Sequence, residues 1–159
     1  MAESPPSDPV RPRSFSRALL IAVMVAVLYG AILMAVDGFV SLLIDRDVIS
    51  ERDAGPLVGP VMAVAALSVV FVSVLGGLRP APGPRRIPVG RASATTLIVY
   101  VVSPLTGAIV YVFGQDRILT AVEFFGKYLA SPFVIASAAL AGLVILLLPV
   151  IDLSRSRAR

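Results

Sequence analysis

The chain has 159 residues, 57% of them hydrophobic, with a mean hydropathy of +0.92, whereas a soluble domain carries about 45–50% apolar residues. Fourteen bases stand against ten acids, and there is neither cysteine nor histidine. Those absences exclude disulfides, thiolate or imidazole metal sites, haem ligation through either residue and histidine acid–base catalysis, while the apolarity makes lipid the solvent.

Residues 1–17 hold four prolines and several serines with no apolar period, which predicts a disordered cytoplasmic tail. The first apolar run, 18–44, follows Arg11, Arg13 and Arg17 and is broken only by Asp37. A cleaved secretory signal has an apolar region of about 7–15 residues, so this longer run reads as a retained anchor. The polar, acidic stretch 45–54 then leads into Gly55-Pro56-Leu57-Val58-Gly59-Pro60 and a second span, 56–78. Asp53 is the expected helix cap there, because a carboxylate before the first turn accepts its orphan N–H groups. Pro60 lies deeper and is expected to loosen the outer end of this span.

Residues 79–91 contain four prolines and four arginines, a composition that favours extended backbone over helix. The third run, 93–114, is uncharged and has Pro104 near its middle, which predicts a kink where the ring removes the bond to the Tyr100 carbonyl. Residues 115–128 mix charge with Ile118, Leu119, Val122, Phe125 and Leu129 on one helical face, the pattern of a helix lying in the membrane interface. A fourth run, 129–151, precedes the basic tail 152–159 with Arg155, Arg157 and Arg159. At ~1.5 Å per residue each run crosses a ~30 Å hydrocarbon core. The predicted fold is an all-α integral membrane bundle of four transmembrane helices, with residues 18–151 as one unit and no internal repeat.

Charge sets the predicted orientation. Ten bases fall in the N-terminal tail, the second loop and the C-terminal tail, against four in the first and third loops. Positively charged segments stay cytoplasmic, so both termini are expected inside. The acids agree: Asp45, Asp47, Glu51, Asp53, Asp116 and Glu123 lie on the other side.

Asp37 is the one ionisable residue inside an apolar run, and such a residue is a functional candidate because charge at a helix centre costs about 2.5–3.5 kcal/mol on insertion scales. Against that, 18–36 is already long enough to span, which would leave Asp37 at the outer interface. The carboxylates Asp45, Asp47, Glu51 and Asp53 are hard oxygen ligands, but Arg46 and Arg52 offset them and no calcium-loop spacing is present; no metal site is expected. Small residues recur four apart at Gly55, Gly59 and Ala63, at Ala138 and Gly142, and at Ser137 and Ala141, marking faces where helix backbones approach closely. Tyr111 and Tyr128 fall at the outer boundary, where aromatic rings anchor helices. Tyr100, Ser103 and Thr106 are placed to offer hydroxyls to the carbonyl freed by Pro104.

The stretch Asp47-Val48-Ile49, followed by Asp53 to Pro60, resembles small four-helix membrane proteins of actinobacteria grouped as a domain of unknown function. The resemblance implies a bacterial inner-membrane location and carries no functional residues. With no paired acid and base and no cofactor motif, the expected function is a non-enzymatic accessory or structural subunit of a membrane assembly. Its expected partners are lipid and other integral membrane proteins or itself, with no nucleic acid. The alternative is a small proton-coupled exporter using Asp37: in plan the chain resembles small multidrug transporters, which have four helices and one acid in the first.

Overall fold

A computed structural model describes residues 15–45, 57–78, 89–115 and 118–157. All regular structure among them is helical: α1 (Phe15–Ile44), α2 (Val58–Gly77), α3 (Val89–Gln115), α4 (Ile118–Leu129) and α5 (Pro132–Arg157). Four helices are long and apolar enough to cross a membrane, namely α1, α2, Val89–Phe113 of α3 and Pro132–Pro149 of α5. The chain is an all-α membrane protein.

The helix ends differ from the predicted spans in physically legible ways. Helix α1 begins at Phe15, inside the predicted tail, and α5 continues through Arg157, six residues into the other; arginine and serine cost a helix little. Asp45 ends α1 with a φ of 49°, a left-handed conformation that aspartate tolerates better than most residues. Helix α2 starts at Val58 with Leu57 in the cap position and no side-chain cap; Asp53, the expected cap, lies outside the described residues, as does Gly55. Pro60 is therefore the third residue of the helix, where its missing N–H has no intrahelical role, and the expected loosening has no cause there. Pro132 opens α5 in the position proline favours.

Helix α3 packs against α2 on one side and α5 on the other; α1 closes on α2 and α5, and α2 meets α5 across the diagonal. Helices α1 and α3 thus occupy opposite corners. Helix α2 runs antiparallel to α3, since Ser73 meets Thr95 at one end while the Met62 carbonyl meets Ser103 toward the other. Each span buries a stripe at three- and four-residue spacing: Ala22, Ala26, Tyr29 and Leu33 on α1; Ala66, Val70 and Val74 on α2; Ala92, Thr95 and Val99 on α3; Ala138, Ala141 and Ile145 on α5. Because lipid is as apolar as leucine, such stripes hold together by close packing and hydrogen bonds rather than by hydrophobic sorting. Small side chains dominate them for that reason.

Helix α4 packs on the C-terminal part of α3. Its buried residues are Phe124 and Tyr128, with Ala121 and Phe125 beside them, and they meet Val58, Ala108 and Tyr111. Leu119 and Val122, from the expected apolar face, point away and are 84% and 68% exposed. At about 100° per residue the face packed on the bundle is turned by roughly a quarter of a circle from the apolar face that the sequence marks for the membrane interface. Aromatic stacking explains the turn: Tyr111 lies 4.9 Å from Phe124, and Phe124 lies 4.2 Å from Tyr128, centroid to centroid. The two tyrosine rings expected to anchor at the lipid interface are thus engaged in an internal stack.

Candidate functional site

Hydroxyl groups tie the spans in pairs, α1 to α5 and α2 to α3. Tyr29, in the middle of α1, donates from its OH to the Ser137 carbonyl of α5 at 3.1 Å, and both are buried. Thr95 of α3 donates to Ser73 of α2, or back to the Arg91 carbonyl, both at 2.9 Å. Ser103 donates to the Met62 carbonyl at 3.3 Å, and Tyr100 reaches the Leu129 carbonyl at the end of α4 at 2.7 Å. Thr106 and Ser137 bond carbonyls three residues back on their own helices. None of the three hydroxyls around Pro104 serves the Tyr100 carbonyl: two bridge to other elements, and Thr106 turns to the Ser103 carbonyl. A polar OH in lipid must find an acceptor, and here the acceptors are the Met62 and Leu129 carbonyls of other helices and the Ser103 carbonyl.

The small residues sit at the closest approaches. A side chain on Gly142 would collide with the Thr96 hydroxyl and come to 3.7 Å from the Ala92 carbonyl, so α3 and α5 touch nearly backbone to backbone. Ala138, one turn earlier, is 3% exposed. Ala63 of α2 is half-buried against the core, and Gly59 is half-buried at that helix's start. Leu67 of α2 lies 3.3 Å from where a side chain on Gly30 would begin, which places glycine at the α1–α2 contact as well.

Asp37 sits eight residues beyond Tyr29 on α1. The residue is half-buried. Its Oδ1 atom is enclosed and has no hydrogen-bond partner, and among the described residues it is the one enclosed side-chain oxygen or nitrogen in that condition. The acid thus lies against protein on one edge, neither freely in water nor in the deep centre. An enclosed polar atom without a donor is costly, whereas the buried hydroxyls beside it in the fold are all provided for. Gly38, next along, faces open space. Asp47, Glu51 and Asp53 of the acidic loop lie outside the described residues; no group of three metal-binding side chains occurs among the described ones.

A family described as one of unknown function, DUF6121, matches residues 12–159. The chain belongs to that family. The match covers all four spans of this DUF6121 member and extends well beyond the stretch at 47–60 that carried the resemblance. No curated protein and no solved structure matches the chain. Tyr29 is the structural residue that sequence reasoning passed over; its signal was a phenol at the centre of an apolar run, which must have a partner from another helix.

Proposed function

We propose that this membrane protein is a non-enzymatic accessory or structural subunit of a bacterial plasma-membrane assembly, with both termini and the α2–α3 loop in the cytoplasm. The observation that supports it is the spending of the interior hydroxyls. Tyr29, Thr95, Ser103 and Ser137 are each bonded to a neighbouring helix or to their own, and the remaining interior is filled by side chains such as Leu33, Val70, Val74, Val99 and Ile145. A substrate path needs unsatisfied polar groups along its length, and a packed, self-satisfied interior suits a scaffold. Purification in mild detergent at native expression tests the reading: co-purification of a defined set of membrane proteins is expected, and recovery of the chain alone refutes it.

One observation favours a second reading. The donor-less oxygen of Asp37 is the kind of acid a proton-coupled exporter carries in its first helix. Proteoliposomes separate the two, because pH-driven uptake abolished by Asp37→Asn belongs to an exporter and not to a scaffold.

A further inference from the structure

Helix α4 runs back along α3 rather than across the end of the bundle. Its Phe124 stacks on Tyr111 and approaches Gly107, and five residues later the Leu129 carbonyl accepts from the Tyr100 hydroxyl at 2.7 Å. Tyr100 stands nine residues beyond Arg91, where the uncharged run 92–114 of α3 begins. At ~1.5 Å per residue that is about 13.5 Å, close to the middle of a ~30 Å hydrocarbon core. A second marker agrees: Gly142 of α5 sits against Ala92 and Thr96, and Pro132, ten residues earlier, lies about 15 Å nearer the other end. Measured against α3, then, α5 begins half-way across, and α4 covers the remaining depth.

The backbone between the two helices is interrupted. In an unbroken helix the Leu129 carbonyl would take the N–H of Phe133, and the Tyr128 carbonyl that of residue 132, which is proline and has none. Instead the Ser131 N–H turns to the Tyr128 carbonyl, three residues back, at 3.0 Å, and Tyr100 serves Leu129 from α3. Non-helical backbone is tolerated at membrane depth only where protein or water satisfies it, and here a phenol does so. Helix α4 also belongs to a cluster of its own, in which Phe124 and Tyr128 pack with Val58, Ala108 and Tyr111, apart from the main core.

We propose that α4 and α5 are the two halves of one broken membrane crossing, hinged at Ala130 and Ser131, with the Tyr100 hydroxyl as the latch that holds the α4 half on α3. Leu119 and Val122, exposed on the far side of α4, then face acyl chains along a descending helix rather than one lying in the interface. Glu123 and Lys127, four apart, descend with them; Lys127 is engaged within the protein, and its long stem lets the ammonium rise toward the headgroups. The inference goes beyond the subunit reading and does not depend on it.

The chain has no cysteine, so nitroxide labels can be placed singly on the full-length protein in phosphatidylcholine nanodiscs. Leu119→Cys, Val122→Cys and Gly126→Cys share the exposed side of α4. Val101→Cys, Leu105→Cys and Ile109→Cys, on the exposed side of α3, give a depth scale from collisions with oxygen against a water-soluble nickel chelate. Depth should increase from position 119 to position 126 by about 10 Å, seven residues at ~1.5 Å, with 126 falling within the α3 series. Equal depths at the three positions, as a helix lying in the interface gives, overturn the proposal. The latch is read from the distance between labels at Val122→Cys and Leu147→Cys. Tyr100→Phe, which keeps the ring, should raise the population outside the wild-type distance peak about threefold, the effect of one interhelical hydrogen bond, and leave an Ile109→Cys and Leu147→Cys control pair unchanged. An unaltered distribution overturns the latch, and so does equal broadening of both pairs, which is general loosening of the bundle.

Discussion

Replacing Gly142 by alanine tests the α3–α5 contact in both directions. The added methyl meets the Thr96 hydroxyl, while its nearest backbone atom, the Ala92 carbonyl, is at 3.7 Å, an ordinary contact. All the obstruction therefore comes from one branched side chain, which is stiff at its first torsion. Forcing a methylene into a packed interior costs about 1–3 kcal/mol, and relieving glycine's backbone entropy in a helix returns about 0.5–1 kcal/mol. Gly142→Ala alone should thus destabilise by up to about 2 kcal/mol. In a Thr96→Ala background the obstruction is gone, and the same change should stabilise by about 0.5–1 kcal/mol. The assay is a double-mutant cycle: the four proteins in dodecyl maltoside are unfolded by added dodecyl sulfate and followed by far-UV circular dichroism, since the chain has no tryptophan. A coupling of about 1–3 kcal/mol is expected between the positions. Additive effects within about 0.5 kcal/mol would show that α3 and α5 do not meet at this point.

Tyr29→Phe removes the hydrogen bond from α1 to the Ser137 carbonyl of α5 while keeping the ring; a loss of about 0.6 kcal/mol, and no more than about 1.7, is expected in the same unfolding titration. Phe124→Ala removes the ring contact that joins α4 to α3 through Tyr111, and with it the stack on Tyr128 within α4; the α3–α4 contact is worth about 0.5–1.5 kcal/mol beyond area, so a cysteine placed at Ala121 should react with maleimide several-fold faster while one at Ala138 does not change. Equal rates would mean that α4 is held by something else. Orientation is checked with membrane-impermeant thiol labelling of intact cells: Leu43→Cys, beyond the oily layer at the end of α1, should label from outside and Gly90→Cys only after lysis, and the reverse pattern would invert the assignment of the arginine-rich end.

The number of spans was legible because only long apolar runs satisfy a bilayer, and no packing detail can change that. Span ends were legible only approximately: Val89 to Ala92 and Asp152 to Arg157 continue helices into polar sequence, where nothing forbids one more turn. The apolar face of α4 was legible, but the second face, which packs on the bundle, was not. In water Leu119 and Val122 would have to be covered by protein; in lipid they need not be, so the packed face is chosen by the geometry of Tyr111, Phe124 and Tyr128. The hydroxyls near Pro104 were visible as a cluster, but their acceptors belong to other elements, and spacing along one helix does not say which helix stands opposite. Likewise Asp37 stood out at once, yet the enclosure of a single oxygen depends on how α1 seats against its neighbours.

Helix α1 has 30 residues and α2 has 20, lengths of about 45 Å and 30 Å. The shorter rod matches a membrane's oily layer and the longer one overshoots it, with the Tyr29 bond pinning the long rod near its middle. Roughly 7 Å of surplus is then left at each end, and the upper stub carries Leu42, Leu43 and Ile44, all exposed. Such a stub leans into the headgroup layer like a wedge, and a thicker membrane would take it in. The molecule is thereby coupled to bilayer thickness through its first helix.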